Sequence, residues 1–279
     1  MPHATADPEE LAQRRGPDPG WLRLRLELQW DGSAFWGWQA QRGLRTVQDT
    51  LLAASLPLAA QVQRPVAAGR TDAGVHARCM TCHLDGSSWR LEATRIAAAL
   101  NARLPPDLQV LAVRLAPPGF HARYSCLSRR YCYRLLVGPQ ALPLERGRCH
   151  WVKGPLDLPA MRRAAQILVG QHNFSAWATA ETRNPERRLY QVEIRSEPLA
   201  GGELVEIQLE GESFLRQMVR GLAGTLLQVG YGRRDPEELP ALLRGQPRSR
   251  GDPNLPAQGL YFEGALYPGE GSAGLTDLD

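Results

Sequence analysis

Between Ala68 and Ala77 the chain reads Ala-Gly-Arg-Thr-Asp-Ala-Gly-Val-His-Ala, and its polar residues are of types that do chemistry. One carboxylate, Asp72, lies between Gly69 and Gly74, with Arg70 two residues before it and His76 four after. No apolar period runs through the stretch, so neither a helix nor a buried strand is expected. Glycine on both sides suits tight turns, or a backbone that comes close to a ligand. Such a loop can present Asp72 as a nucleophile, a base or a ligand. The same residues could make an ordinary surface turn, and composition alone favours that.

A second cluster overlaps the first. His76, Cys79, Cys82 and His83 include a Cys-x-x-Cys, a spacing that zinc sites use. A strand here would send Cys79 and Cys82 to opposite faces, and no second close pair completes a tetrahedral set. No metal is therefore expected. The five cysteines (Cys79, Cys82, Cys126, Cys132, Cys149) are odd in number and irregularly spaced, so no disulfide framework is implied.

The 279 residues are 43% hydrophobic and 22% charged, a soluble globular composition with room for two domains. No apolar run approaches the ~18 residues needed to span a bilayer. Residues 1–20 carry Pro2, Pro8, Pro17 and Pro19 with mixed charges and no apolar core. They read as a disordered tail rather than a signal peptide, which places the protein in the cytoplasm. Net charge is only +4, yet Lys153 is the sole lysine among 33 basic residues. A planar guanidinium fits phosphates and stacks on bases. Arginine pairs at 14–15, 129–130, 162–163, 187–188 and 233–234 are thus compatible with a nucleic-acid face, although a codon bias toward arginine gives the same excess.

These residues must be held by the elements around them. Trp21–Trp30 alternates leucines with Arg23, Arg25, Glu27 and Gln29, the pattern of a half-buried strand. Asp31-Gly32-Ser33 ends it, and Phe35–Gln39 follows as an aromatic loop suited to packing rather than base stacking. Thr46 reads as an N-cap with Asp49 three residues on, opening a helix to about Ala60. Strands Arg64–Ala68 and Cys79–Leu84 flank the Asp72 loop. A helix over Leu91–Leu104, stopped by Pro105-Pro106, and a strand over Leu108–Arg114 complete a β-α-β-β-α-β order. Pro117-Pro118-Gly119 marks a domain boundary.

The second half repeats the order. Strands are expected at Arg129–Val137, Arg188–Ser196, Leu204–Glu210 and Gly259–Leu266, and helices at Leu158–Val169, Phe214–Val229 and Pro236–Leu243. Gly170 stops the first of those helices. The expected architecture is α+β, with two ferredoxin-type βαββαβ halves, a topology that RNA-recognition modules also use. The halves are expected at 21–116 and 117–268, with a second disordered tail at 269–279.

Several motifs stand in one order: Asp31-Gly32-Ser33 with Phe35 and Gly37-Trp38-Gln39; the Ala68–Ala77 run; Asn101 with Leu104-Pro105; Phe120-His121-Ala122-Arg123; Arg129-Arg130-Tyr131; Phe214-Leu215 with Met218-Val219-Arg220; and Gly259-Leu260-Tyr261. This constellation resembles the TruA family of tRNA pseudouridine synthases from about Leu22 to Tyr267. The Gly-Arg-Thr-Asp-Ala-Gly-Val-His run is highly specific to that family. The resemblance implies a pseudouridine synthase fold, with the two halves joining their sheets into one extended, mostly antiparallel sheet with a central cleft. It also implies conversion of uridine to pseudouridine at positions 38, 39 and 40 of the tRNA anticodon stem-loop, by a homodimer that uses no metal and no organic cofactor.

On that resemblance Asp72 is the nucleophile, acting on a flipped-out uridine. Arg220 is the cation that pairs with it, and Tyr131 is the ring that packs against the target base. Attack on sugar or base needs an ionised carboxylate, and burial beneath a base would raise its pKa unless a cation balanced it. Arg70 takes the place the base vacates. Leu260 packs beneath the uracil, though a plain core leucine fits as well. Phe120, His121, Arg123 and Arg183 touch tRNA, and His76 fits RNA contact or loop bracing equally. The chain departs from the family at Trp30, where members usually carry tyrosine, a change expected to touch packing only. Arg103 and Gly221 also depart from it.

Overall fold

The computed structural model describes residues 16–179, 184–199 and 201–270. Most of the two expected tails lies outside the described residues, as does Arg183. The chain divides into two compact units. One runs to Arg129 and resumes at Phe262, and the other is Arg130–Tyr261.

In the first unit, β1 (Leu22–Trp30) forms where alternation predicts it. Thr46 caps α1 (Val47–Ser55), its hydroxyl oxygen accepting from Asp49 N at 3.3 Å. The helix stops short of Ala60 because Pro57 has no N–H with which to continue it, and Leu56–Leu58 close as a 3₁₀ turn. Of the expected strand Arg64–Ala68 only β3 (Val66–Ala67) forms, after Pro65, and a short β2 (Gln61–Val62) precedes it. Next come β4 (His76–Ser87), α2 (Ala93–Asn101) and β5 (Leu108–Leu115). The strand order is β5-β1-β4, followed by β11 (Leu260–Leu266), with β2 and β3 also on β4.

The register of β1 against β4 sorts side chains into two faces. Leu24, Leu26 and Leu28 oppose Leu84, Cys82 and Met80, all in the core. On the other face Arg23, Arg25 and Glu27 oppose Asp85, His83 and Thr81. This strand is not half-buried as expected, because its polar face is buried too. Arg23 holds Asp85 through two bonds of 2.7 Å, and Glu27 accepts from Arg25 at 2.9 Å and from Thr81 at 2.7 Å. Charges taken out of water in this way persist only when paired.

What covers that face also moves the domain boundary. Arg23 Nη1 donates to Phe120 O at 2.6 Å, and Tyr267 Oη donates to Ala122 O at 2.6 Å. Arg25 lies over the Tyr267 ring, 4.5 Å from its centroid, and bonds Glu270. Residues 117–129 therefore belong to the first unit, and the chain divides after Arg129 rather than at Pro117. Glu270, expected in a disordered tail, is an ordered partner of this network.

The second unit contains most of β6 (Ser128–Val137), then β7 (His150–Val152), α3 (Leu158–Ile167), β8 (Gly170–Asn173), β9 (Glu186–Leu199), β10 (Gly202–Gly211), α4 (Met218–Gly230) and α5 (Leu239–Leu242). Its order is β6-β10-β9-β8, with β7 parallel to β6. Strands β7 and β8 have three and four residues, too few to leave a period in the sequence. Helix α4 begins at Met218 rather than Phe214, because Gln217 is left-handed (φ 65°) and no helix passes through it. Among the described residues no helix is long and apolar enough to cross a membrane.

Candidate active site

The Asp72 loop is braced through its backbone. Trp38 N donates to Thr71 O at 3.2 Å, and Gly74 N to Phe35 O at 3.1 Å. Ala68 N donates to Thr81 O at 2.9 Å, and Val75 N closes a turn onto Asp72 O at 3.3 Å. Two glycines let residues 31–38 come this close. A Cβ on Gly37, itself left-handed at φ 84°, would meet Thr71 O at 2.4 Å, and one on Gly32 would meet Val75 O at 2.2 Å.

Side chains lock the same frame. Trp30 Nε1 donates to Val75 O at 3.0 Å, so this departure from the family bears on the loop itself and not on packing alone. His76 is buried, and its Nδ1 accepts from Gly32 N at 3.0 Å. Of its two readings the structure supports bracing. Arg129 Nε and Nη2 each reach Ala68 O at 3.2 Å, and Nη2 also reaches Arg123 O at 2.6 Å, fastening the 117–129 segment to the loop. Asp72 itself is half-exposed, and Arg70 is exposed with no polar partner among the described residues.

The remaining candidates of the 117–129 segment differ. Phe120 is buried against Tyr267, with ring centroids 5.0 Å apart. His121 is buried too, its Nδ1 accepting from Arg123 N and Tyr124 N at 3.2 Å each. Both shape the turn from inside, and only Arg123 faces outward. Beside them His83 accepts from Ala122 N at 3.1 Å. Burial, with Arg23 and His121 adding repulsion, pushes its pKa down to about 2. None of the five cysteines is in a disulfide, and burial next to Glu27 pushes the Cys79 thiol up to about 12.

In the second unit one short segment, 254–260, holds Arg220 and carries Leu260, while Tyr131 packs elsewhere. Arg220, third residue of α4 and half-buried, donates from Nε to Leu255 O at 2.7 Å, while Leu255 N donates to Arg220 O at 3.2 Å. Tyr131 on β6 is buried edge-on against Phe214, centroids 5.0 Å apart. Two residues along β6, Tyr133 Oη donates to Pro256 O at 2.7 Å, and Gly259 lies so close that a Cβ would be 2.6 Å from the Tyr133 ring. Leu260 follows, buried at the start of β11.

Sequence reasoning missed the polar clamp behind Arg220. Asn254 Nδ2 donates to Gln217 Oε1 at 2.7 Å, and Arg248 Nη2 donates to Asn254 Oδ1 at 2.7 Å. Arg248 Nη1 reaches Ala176 O at 3.0 Å, and burial lowers its pKa. These residues share no spacing that could have singled them out. The glycine at 221 does have a visible reason, since a Cβ there would stand 3.0 Å from both Asn254 Oδ1 and Trp177 Cδ1.

In chemical terms, the first unit offers a half-exposed carboxylate on an immobilised loop, which reduces the reorganisation needed to attack a positioned substrate. The second offers an aromatic ring packed against Phe214 and a guanidinium bonded to Leu255 O. Residues 164–268 match the family described as tRNA pseudouridine synthase. The chain is 47% identical over 249 residues to tRNA pseudouridine synthase A of Thermus thermophilus, covering 89% of this chain and 98% of that protein. Identity is 41% over 268 residues with the protein of that name from Bordetella petrii (91% and 95% covered). With the one from Methylococcus capsulatus it is 39% over 251 residues (89% and 91%).

Proposed function

Given that this chain belongs to the TruA family of tRNA pseudouridine synthases, we propose that Asp72 is the nucleophile with which it converts uridine to pseudouridine at positions 38, 39 and 40 of the tRNA anticodon stem-loop. The enzyme is an isomerase of tRNA uridine. The N1–C1′ bond breaks, the base turns, C5 bonds to C1′, and the C5 proton is exchanged for one on N1, so nothing is added or lost.

The observation that carries the assignment to Asp72 is the bracing of its loop from residues 31–38 on one side and from Arg129 on the other. A carboxylate that must meet an everted nucleoside gains from being fixed beforehand. Arg220 supplies the positive charge that keeps such a carboxylate ionised when a base covers it. Tyr131 presents its ring to the base, and its hydroxyl assists proton removal at C5, with Leu260 supporting the uracil. Taking a base out of a stem costs a few kcal/mol, which stacking and phosphate contacts offset. Arg70 fills the vacated place, and Arg123 holds the backbone, both being exposed. His76, Phe120 and His121 act on RNA only through the backbone they brace. The enzyme works in the cytoplasm as a homodimer without metal or organic cofactor.

The test is Asp72→Asn. Pseudouridine formation in bulk tRNA is expected to fall below detection, while the Kd for tRNA stays within about three-fold of wild type, because the amide keeps the shape and loses the nucleophile. Turnover at the normal rate would remove Asp72 from the mechanism.

A further inference from the structure

Trp36 is the one residue of the Phe35–Trp38 stretch whose large aromatic side chain the fold leaves in water. Phe35 and Trp38 are buried, whereas Trp36 is 55% exposed. Its position is set by the active loop. Phe35 O accepts from Gly74 N at 3.1 Å, and Gly37 packs against Thr71 O and Asp72, so Trp36 stands between two residues that both touch the loop. Its backbone is fixed as well, with Trp36 N donating to Arg45 O at 2.8 Å and Gln41 Nε2 donating to Trp36 O at 3.0 Å. The indole is therefore presented rather than frayed.

The cations nearby divide into two kinds. Arg45 is committed to Asp107 by bonds of 2.6 and 2.7 Å and lies over Phe35, and Arg64 is paired with Asp49. Arg42 is exposed and has no ion-pair partner among the described residues. It lines an open groove of about 710 Å³ together with Gln39, Gln41 and Arg64. An exposed indole on a held backbone and an exposed guanidinium next in sequence to Gln41, whose side chain bonds Trp36 O, match what a looped RNA strand offers: a base face and a phosphate.

We propose that Trp36 and Arg42 form an RNA-contact patch of the enzyme, in which the indole stacks on a nucleobase near the target uridine and Arg42 takes a backbone phosphate. The proposal rests on the pseudouridine synthase reading, and it extends the substrate surface beyond Arg70 and Arg123. Trp36 is a stacking platform and takes no part in bond making.

The experiment is equilibrium binding of bulk tRNA to the full chain carrying Asp72→Asn, alone and combined with Trp36→Ala, Trp36→Phe or Arg42→Ala, over a range of salt. Trp36→Ala is expected to weaken binding about ten-fold or more with the same salt dependence, and Trp36→Phe to restore most of the affinity. Arg42→Ala is expected to reduce the slope of log K against log salt by about 0.7–0.9. Unchanged affinity in Trp36→Ala, or a Trp36→Phe variant no better than alanine, overturns the stacking role. An unchanged slope in Arg42→Ala overturns the phosphate contact. Pseudouridine formation by otherwise wild-type enzyme is assayed separately, so a failure of the parent reading shows there and not in the binding data.

Discussion

The polar faces of two strand pairs, β1/β4 in the first unit and β9/β10 in the second, are written in the same alternating script and end in different environments. Along β10, Val205, Ile207 and Leu209 are buried while Glu206, Gln208 and Glu210 stay half-exposed, opposite Arg195, Glu193 and Gln191. Along β1, by contrast, Arg23, Arg25 and Glu27 are buried together with the leucines between them. The difference lies in what covers each face. Residues 120–128 and 267–270 close over the first, and their backbone carbonyls and Glu270 satisfy donors that water would otherwise serve. The same cover holds Arg129, which reaches Ala68 O and Arg123 O, so the buried charges are part of the footing of the Asp72 loop.

The comparison breaks first, and with the largest effect, at the buried pair. Asp85→Ala leaves Arg23 charged and unpaired in the interior, and denaturant unfolding is expected to show a loss of about 3–5 kcal/mol. Turnover should fall with it, as the 120–128 cover loosens. A loss under 1 kcal/mol would mean that water reaches this face. Replacing both partners, with Arg23→Met and Asp85→Leu together, is expected to recover most of that stability, since the desolvation cost goes with the charges.

His83 sharpens the comparison through pH. Its pKa is about 2 in the folded protein against an ordinary 6.5. Below pH 6.5 the unfolded chain therefore binds a proton that the folded chain refuses. The stabilisation is complete above that value and is lost toward acid, at about 1.4 kcal/mol per pH unit. Wild type is expected to lose about 2 kcal/mol more between pH 7 and pH 5 than His83→Asn, whose amide oxygen can still accept from Ala122 N. Equal losses in urea titrations at the two pH values would show that His83 takes up its proton while folded. The smallest effect belongs to the open face. Arg195→Ala removes an exposed partner of Glu193, 2.9 Å away, and the unfolding midpoint should not move measurably.

The Asp72 run stands out by residue type, whereas Tyr131, Arg220 and Leu260 come only from the resemblance to the family; the α+β elements form near their expected places. Errors clustered where one residue overrides a period. Pro57 and Pro65 cut elements short, and left-handed Gln217 moved the start of α4 past Phe214, freeing that ring for Tyr131. His76, Phe120 and His121, expected at an RNA-facing surface, are buried, because a motif does not say which way a residue faces.

By itself the sequence determined the chemistry-bearing residues and the alternation that makes β1 and β10 strands, since both are written in neighbours a few positions apart. Tertiary structure alone decided that the charged face of β1 is interior, that Trp30 grips the Asp72 loop, and that Asn254 ties Gln217 to Arg248. Those outcomes depend on which distant segment closes over which surface, and burial is a property of that meeting rather than of either strand.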